Sequence, residues 1–146
     1  MYNVLILWAP DTAENRRVVE AVAGAFSDAK VTLHKKKVAD AIVADVTGAD
    51  IVVFGVQKGE SDLPPEFNEC VRYFKGITLA GRTAGLFSMG SEKSTVRLRK
   101  VLKDTEISLL EDDPLFVDQK PGKSAEIAEW VKRLIQSYQE LHHARA

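Results

Sequence analysis

The fold is decided by Asn3-Val4-Leu5-Ile6-Leu7-Trp8 and by the stretch that follows it, Ala9-Pro10-Asp11-Thr12-Ala13-Glu14-Asn15. Val4–Leu7 is continuously apolar, which is typical of a strand covered on both faces of a sheet. From Glu14 onward the apolar residues follow a helical period and share one stripe: Val18, Val19, Val22 and Phe26. A buried strand followed at once by an amphipathic helix predicts the first unit of an open α/β fold.

The same alternation continues along the chain. Further strands are predicted at Lys30–His34, Ile51–Phe54, Ala84–Phe87 and Ile107–Leu110. Further helices are predicted at Val38–Val46, from Pro64 to Gly76, at Thr95–Leu102 and at Ser124–Leu141. Strands that alternate with helices form a parallel sheet with right-handed crossovers and helices on both faces. We therefore expect a three-layer, doubly wound α/β domain with a five-stranded parallel sheet in the order 2-1-3-4-5.

The composition is that of an ordinary globular protein, with 146 residues, 45% hydrophobic and 28% charged. This length predicts a single domain over residues 1–146. The net charge of −1 indicates neither the strongly basic surface that binds nucleic acids nor a strongly acidic docking surface. The single cysteine excludes an internal disulfide and a cysteine-based zinc site. Because neither a membrane span nor a signal peptide is present in the sequence, we expect a cytoplasmic protein without membrane or nucleic-acid partners.

Ligands of such sheets bind beyond the carboxyl ends of the strands, where the strand order reverses. Here the reversal lies between the first and third strands, so three loops matter: Trp8–Asn15, Val56–Leu63 and Ser88–Ser94. The candidate binding residues in these loops are Asp11, Thr12, Asn15, Val56, Gln57, Lys58, Gly59, Met89, Gly90 and Ser91. No catalytic or metal-binding residues are predicted.

Several segments resemble the flavodoxin family. Asp50-Ile51-Val52-Val53-Phe54-Gly55 is similar to its third strand and closing glycine, and Leu63-Pro64-Pro65-Glu66-Phe67 to the start of its third helix. Leu79–Phe87 resembles the approach to its fourth strand and that strand, and Asp113–Leu115 resembles the region after strand five. The resemblance spans nearly the whole chain. It implies a flavodoxin-like fold, flavin mononucleotide (FMN) held by the three loops, and one-electron transfer.

The first loop departs from the family's pattern. In flavodoxins it is rich in Ser, Thr and Gly, whose hydroxyls and amide hydrogens surround the phosphate at a helix N-terminus. Here only Thr12 and Asn15 could take that part, and Pro10 has no N–H. Asp11 and Glu14 would repel a phosphate dianion, since two charges 4 Å apart interact by about 4 kcal/mol at an effective dielectric of ~20. Asp11 is alternatively the N-cap of the first helix.

The other two loops contain no aromatic residue, whereas flavodoxins usually stack aromatic side chains on the flavin from these positions. Gly59 either permits the peptide rearrangement that accompanies flavin reduction in the family or is an ordinary turn glycine. Trp8 either edges the pocket or caps the core. We therefore predict weak or lost FMN binding in an accessory or interaction module that has a redox or regulatory protein partner and is not a catalyst. One alternative is a working FMN electron-transfer protein. Another is an enzyme that reduces a small substrate with FMN, which would need a substrate pocket that the sequence does not reveal.

Other motifs are excluded by their spacing. Gly85–Gly90 has the glycine spacing of a P-loop, but the next residue, which must be the phosphate-binding lysine, is Ser91. A receiver domain needs an aspartate after the third strand, where this chain has Gly55-Val56-Gln57. No EF-hand spacing and no zinc-binding His pair occur. Cys70 falls at core spacing in the third helix and is predicted to be a buried apolar residue.

Overall fold

A computed structural model of the protein describes residues 2–27, 30–57, 63–89, 92–110, 115–116 and 124–143. The strands are β1 (Tyr2–Ala9), β2 (Val31–Lys37), β3 (Ile51–Gln57), β4 (Thr83–Met89), β5 (Ser108–Leu109) and β6 (Leu115–Phe116). The α-helices are α1 (Ala13–Ala25), α2 (Val43–Thr47), α3 (Asn68–Phe74), α4 (Glu92–Lys103) and α5 (Ser124–His143). Short 3₁₀ turns, Val38–Asp40 and Pro65–Phe67, precede α2 and α3.

The strands form one parallel sheet in the order β2-β1-β3-β4-β5. The predicted order is confirmed. β5 pairs with the first residues of β4, and β6 pairs with residues near its end. The two short strands therefore share the place of the predicted fifth strand. The register places Ala9 beside Val56 and Gln57 beside Met89. The ends of β1, β3 and β4 are therefore neighbours at one edge of the sheet, which we call the carboxyl edge.

The sheet is covered on both faces because neighbouring residues of a strand point to opposite sides. Leu5 and Leu7 of β1 pack into a core with α2, α3 and α4, whereas Val4 and Ile6 pack into a second core with α1 and α5. The continuous apolar run at the start of the chain follows from this double coverage. The three-layer architecture predicted from that run is confirmed.

Two glycines in the central strands allow close packing. A Cβ at Gly55 would lie 2.2 Å from the Phe87 ring, and one at Gly85 would lie 2.7 Å from Leu134 and 2.9 Å from Trp130. Real Cβ atoms do not approach other atoms so closely, so both positions need glycine for packing. Gly85 lies inside β4 rather than in a phosphate loop, which confirms the exclusion of the P-loop.

Some predicted boundaries are wrong. β3 and β4 continue to Gln57 and Met89, because pairing with each other persists beyond the apolar run. β2 includes Lys35, Lys36 and Lys37, which pair with β1 at the edge of the sheet. The single helix predicted for Val38–Val46 is a 3₁₀ turn followed by α2, since the Asp45 carboxylate accepts a hydrogen bond from Ile42 N (2.9 Å) and starts a new helix there.

Candidate functional site

The carboxyl edge brings the loop after β1 against the end of β3. The Thr12 hydroxyl donates a hydrogen bond to Oε1 of Gln57. These two candidate residues are 45 positions apart in the sequence and meet because β1 and β3 are adjacent strands. The predicted convergence of the first two loops is therefore present, but its polar groups bind each other.

The N-cap of α1 is Thr12 and not Asp11, so the alternative interpretation of Asp11 is wrong. Thr12 has extended backbone angles (φ −109°, ψ 160°), and its Oγ1 accepts a hydrogen bond from Asn15 N at 3.1 Å. A threonine in this position satisfies one of the N–H groups that a helix leaves without an internal partner. Asp11 lies one residue too early to do so.

Asn15 is fully buried and holds the turn together from inside. Its Nδ2 donates to the Pro10 carbonyl at 3.0 Å, and Thr12 N donates to the same carbonyl at 3.0 Å. Among the described residues, the buried Asn15 Oδ1 has no hydrogen-bond partner. The amide cannot be turned round, because its oxygen would then face the Pro10 oxygen. The amide donor of Asn15 is therefore used within the turn.

Asp11 is held by three groups from three elements. Its carboxylate accepts from Trp8 Nε1 at 3.2 Å and pairs with Arg16 Nε at 3.2 Å and with Lys37 Nζ at 3.9 Å. The two cations offset the negative charge that we expected to repel a phosphate.

Trp8 is half-buried and packs against the core under α1 and α5. Sequence reasoning weighed Trp8 and Asp11 but missed Arg16 and Lys37, the ion-pair partners of Asp11. No local spacing could have identified them, because Asp11 precedes the helix that carries Arg16, and Lys37 arrives from β2. An open depression of about 440 Å³ lies beside this group, lined by Trp8, Asp11, Arg16, Lys35, Lys36, Lys37 and Asp40. It opens on the β2 side of the turn and not between the three loops.

The donors of the turn do not match an FMN phosphate. The Thr12 hydroxyl is committed to Gln57, the Asn15 amide to Pro10, and Pro10 itself has no N–H. The helix-terminal N–H groups of Ala13 and Glu14 remain, and Glu14 adds an acidic side chain to this first turn. Within the described residues, this turn does not provide the ring of hydroxyl and amide donors that a dianion needs.

The remaining candidate residues lie on the other two loops. The Val56 side chain is completely buried in the core and does not face the carboxyl edge. Met89 is the last residue of β4, beside Gln57. Lys58, Gly59, Gly90 and Ser91 lie outside the described residues. Their roles stay predictions.

Cys70 is buried, as predicted, and its Sγ lies 3.0 Å from the Tyr73 hydroxyl. Burial raises the pKa of the Cys70 thiol, and burial followed by the contact with Cys70 raises the pKa of Tyr73 far above its ordinary value. Both groups are therefore neutral at physiological pH. In the part of the chain that the structure describes, no three His, Cys, Asp or Glu side chains are grouped to hold a metal ion. None of the helices there is long and apolar enough to cross a membrane.

Comparison with solved structures identifies the fold. A short-chain flavodoxin associated with a non-canonical PDU bacterial microcompartment matches with a TM-score of 0.82 at 18% identity, over 94% of this chain and 99% of that one. The flavodoxin of Streptococcus pneumoniae TIGR4 matches with a TM-score of 0.81 at 15% identity, over 92% and 99%. A Fusobacterium nucleatum flavodoxin bound to FMN matches with a TM-score of 0.77 at 10% identity, over 94% and 99%.

No protein-family model matches the sequence, and no curated protein sequence matches it. The chain is therefore flavodoxin-like in fold over most of its length and strongly divergent in sequence. The flavodoxin-like fold expected from the sequence is confirmed.

Proposed function

We propose that this protein is a flavodoxin-like interaction module of the cytoplasm that binds FMN weakly or not at all and works through a redox or regulatory protein partner. The proposal is carried by the turn between β1 and α1. There, the Thr12 hydroxyl and the Asn15 amide are bonded within the protein. To release them for a phosphate, binding would have to break hydrogen bonds that the folded chain already makes.

The energetic argument concerns the exchange of partners. Hydrogen bonds to a charged acceptor contribute about 1.5–3 kcal/mol each, but here each new bond would replace an existing one. We expect FMN to bind at least ~100-fold more weakly than to an ordinary flavodoxin, which corresponds to about 2.7 kcal/mol.

Titration of the purified protein with FMN, followed by flavin fluorescence, tests the proposal. Riboflavin, which lacks the phosphate, is the matched ligand control. If the turn contributes nothing to phosphate binding, FMN and riboflavin should bind with equal and weak affinity. A nanomolar dissociation constant for FMN would overturn the proposal.

The double variant Asp11→Ala with Glu14→Ala separates charge from hydrogen-bond occupancy. It removes two carboxylates and supplies no side-chain donor. A rise in FMN affinity in the folded variant would assign the obstacle to charge. Unchanged affinity is the result we expect, because Arg16 and Lys37 already offset the charge of Asp11.

The second candidate function is an FMN electron carrier. It is favoured by the FMN-bound Fusobacterium nucleatum flavodoxin, which matches 94% of this chain. In that case backbone groups of the loops after β3 and β4 would hold the flavin. A yellow preparation with flavin absorbance that survives dialysis supports this function and contradicts the first.

A further inference from the structure

The side chain of Gln57 reaches from the end of β3 to the start of α1. Neighbouring residues of a strand point to opposite faces of the sheet, and Phe54 and Val56 pack into the core that faces α2, α3 and α4. Gln57 therefore points to the other face, on the side of Val53, which α1 and α5 cover. Ala9 is the sheet partner of Val56, so Gln57 lies beside the turn that follows Ala9.

The hydroxyl group of Thr12 has a single proton to donate and lone pairs that accept. Its proton goes to Oε1 of Gln57, and its Oγ1 accepts a hydrogen bond from Asn15 N at 3.1 Å. The bond from Asn15 N uses a lone pair and caps the helix, so it can persist beside a bound anion. The bond to Gln57 uses the only proton. While this bond exists, Thr12 has no donor to offer to a ligand.

The contact with Gln57 differs from the bonds that shape the turn. Asn15 Nδ2 and Thr12 N both donate to the Pro10 carbonyl at 3.0 Å, so these bonds join residues at most five positions apart. The bond between Thr12 and Gln57 spans 45 positions and is partly buried. A change at Gln57 can therefore release the Thr12 hydroxyl without removing any bond within the turn itself.

We propose that Gln57 is a specificity-determining residue of the carboxyl edge, which closes the turn after β1 to phosphate esters by taking the hydroxyl proton of Thr12. Phosphate oxygens are acceptors and require donors. Without the Gln57 acceptor, the Thr12 hydroxyl would join the N–H groups of Ala13 and Glu14 at the start of α1. The intact turn therefore discriminates against FMN relative to riboflavin, which carries the same ring system without the phosphate.

This inference rests on the proposed function, because it assigns the weak binding of FMN to one side chain. The two fail in different measurements. Weak FMN binding by both the wild type and a Gln57 variant would overturn the role of Gln57 and leave the proposed function intact. A nanomolar dissociation constant for the wild type would overturn the proposed function, and it would also show that the bond to Gln57 does not close the turn.

The test is a titration of the full-length protein with FMN and, separately, with riboflavin, followed by flavin fluorescence. Gln57→Leu removes both polar atoms of the amide at a similar size. It should bind FMN at least about tenfold more tightly than the wild type, since one hydrogen bond to a charged acceptor is gained. The affinity for riboflavin should not change. Gln57→Glu keeps an acceptor for Thr12 and should bind FMN no more tightly than the wild type.

The matched control is Thr12→Ala combined with Gln57→Leu. It removes the released hydroxyl, so the gain in FMN affinity should disappear. A gain that survives this control, or an equal gain for riboflavin, would contradict the proposal, because an apolar contact at position 57 would then account for it. Unchanged FMN binding by Gln57→Leu alone would overturn the proposal.

Amide chemical shifts of the ¹⁵N-labelled proteins locate the bound phosphate. With inorganic phosphate as the ligand, we expect Gln57→Leu to show shifts at Ala13, Glu14 and Asn15, and the wild type to show none there. Shifts confined to other parts of the chain would contradict the proposal. If Gln57→Leu does not fold, as judged by circular dichroism, Gln57→Ala replaces it with the same expected results.

Discussion

The turn from Pro10 to Asn15 and the α4 stripe, which consists of the exposed residues Lys100 and Lys103, are both polar, but they use their polar groups in opposite ways. In the turn, Thr12, Asn15 and the Pro10 carbonyl bond to one another and to Gln57. In the stripe, Lys100 and Lys103 have no ion-pair partner among the described residues. The first region lies where the fold usually binds its ligand, and the second lies on the outer surface of a helix.

This contrast shows that residues at the position where a fold usually binds its ligand can already be bonded within the protein. A loop at the switch point of an α/β sheet offers its donors to a ligand only if they remain available once the chain has folded. Four sets of variants test this contrast, and they are ordered by the size of the change in stability that we expect.

The buried amide of the turn should be the most sensitive position. Asn15→Asp removes the donor to Pro10 and places a carboxylate against that carbonyl, so we expect a loss of about 3 kcal/mol in the free energy of unfolding. A carboxylate near a helix N-terminus gains about 0.3–1 kcal/mol, which is too little to compensate. Urea denaturation measures the change. Asn15→Ala should lose about 1 kcal/mol, since Thr12 N still satisfies the Pro10 oxygen. Equal losses in the two variants would show that the buried donor is unimportant.

The cap of α1 should matter less. Thr12→Ala removes the acceptor of Asn15 N and the donor to Gln57, so we expect a loss of about 1 kcal/mol in unfolding free energy. Thr12→Ser keeps the hydroxyl and should stay close to the wild type. Thermal unfolding of the three proteins provides the measurement. If Thr12→Ala is as stable as the wild type, Thr12 does not act as the cap.

The ion pair between Lys36 and Asp45 extends the comparison to a partly buried charge. The hydrogen bond from Ile42 N, followed by the contact with Lys36, holds the pKa of Asp45 below its ordinary value. A lowered folded-state pKa stabilises the protein above the unfolded value of about 3.9, and this contribution is lost as the pH falls through the lower, folded-state pKa.

Asp45→Asn tests this pH dependence. The asparagine oxygen can still accept from Ile42 N, but the charge is gone. We expect a loss of up to about 1 kcal/mol at neutral pH that shrinks toward zero in strong acid. Urea unfolding over a pH series is the measurement, with Asp40→Asn as the exposed control. A loss that is independent of pH would show that packing, and not charge, is involved.

Neutralising the stripe should have the smallest effect on folding. In Lys100→Gln with Lys103→Gln, the relief of repulsion along α4 opposes the lost interaction with the helix dipole, so the unfolding free energy should change by less than about 0.5 kcal/mol. Urea denaturation with and without added salt checks this. A large destabilisation would mean that the lysines serve the fold, and it would erase the contrast with the turn.

The sequence predicted the sheet well because its strongest signals are local. Val4–Leu7 and Ile51–Phe54 carry apolar side chains on both faces of the strand. Both faces are buried only when the strand lies between two layers of helices. β3 and β4 extend further than the sequence predicted. Their last residues, Gln57 and Met89, belong to the strands because they pair with each other in the sheet, and the apolar pattern does not reach them.

The candidate site was predicted less completely. Thr12, Asn15 and Gln57 were identified as candidates, but the hydrogen bonds that occupy them were not foreseen. The interpretation of Asp11 as a cap was wrong because capping depends on which residue takes the extended backbone angles before the helix. Asp11 instead meets Trp8, Arg16 and Lys37, which come from β1, α1 and β2.

The layers, the strand order and the amphipathic face of α4 could be predicted from the residues alone, because hydrophobic periodicity is a property of neighbouring residues along the chain. The polar groups that are satisfied became visible in the folded arrangement. The run Lys35–Lys37 and the pair Lys100 and Lys103 are both simply basic in the sequence, yet only the first is neutralised by ion pairs among the described residues. Hydrogen bonds and ion pairs act over a few ångströms, so their partners are fixed by which strands and helices the fold brings side by side.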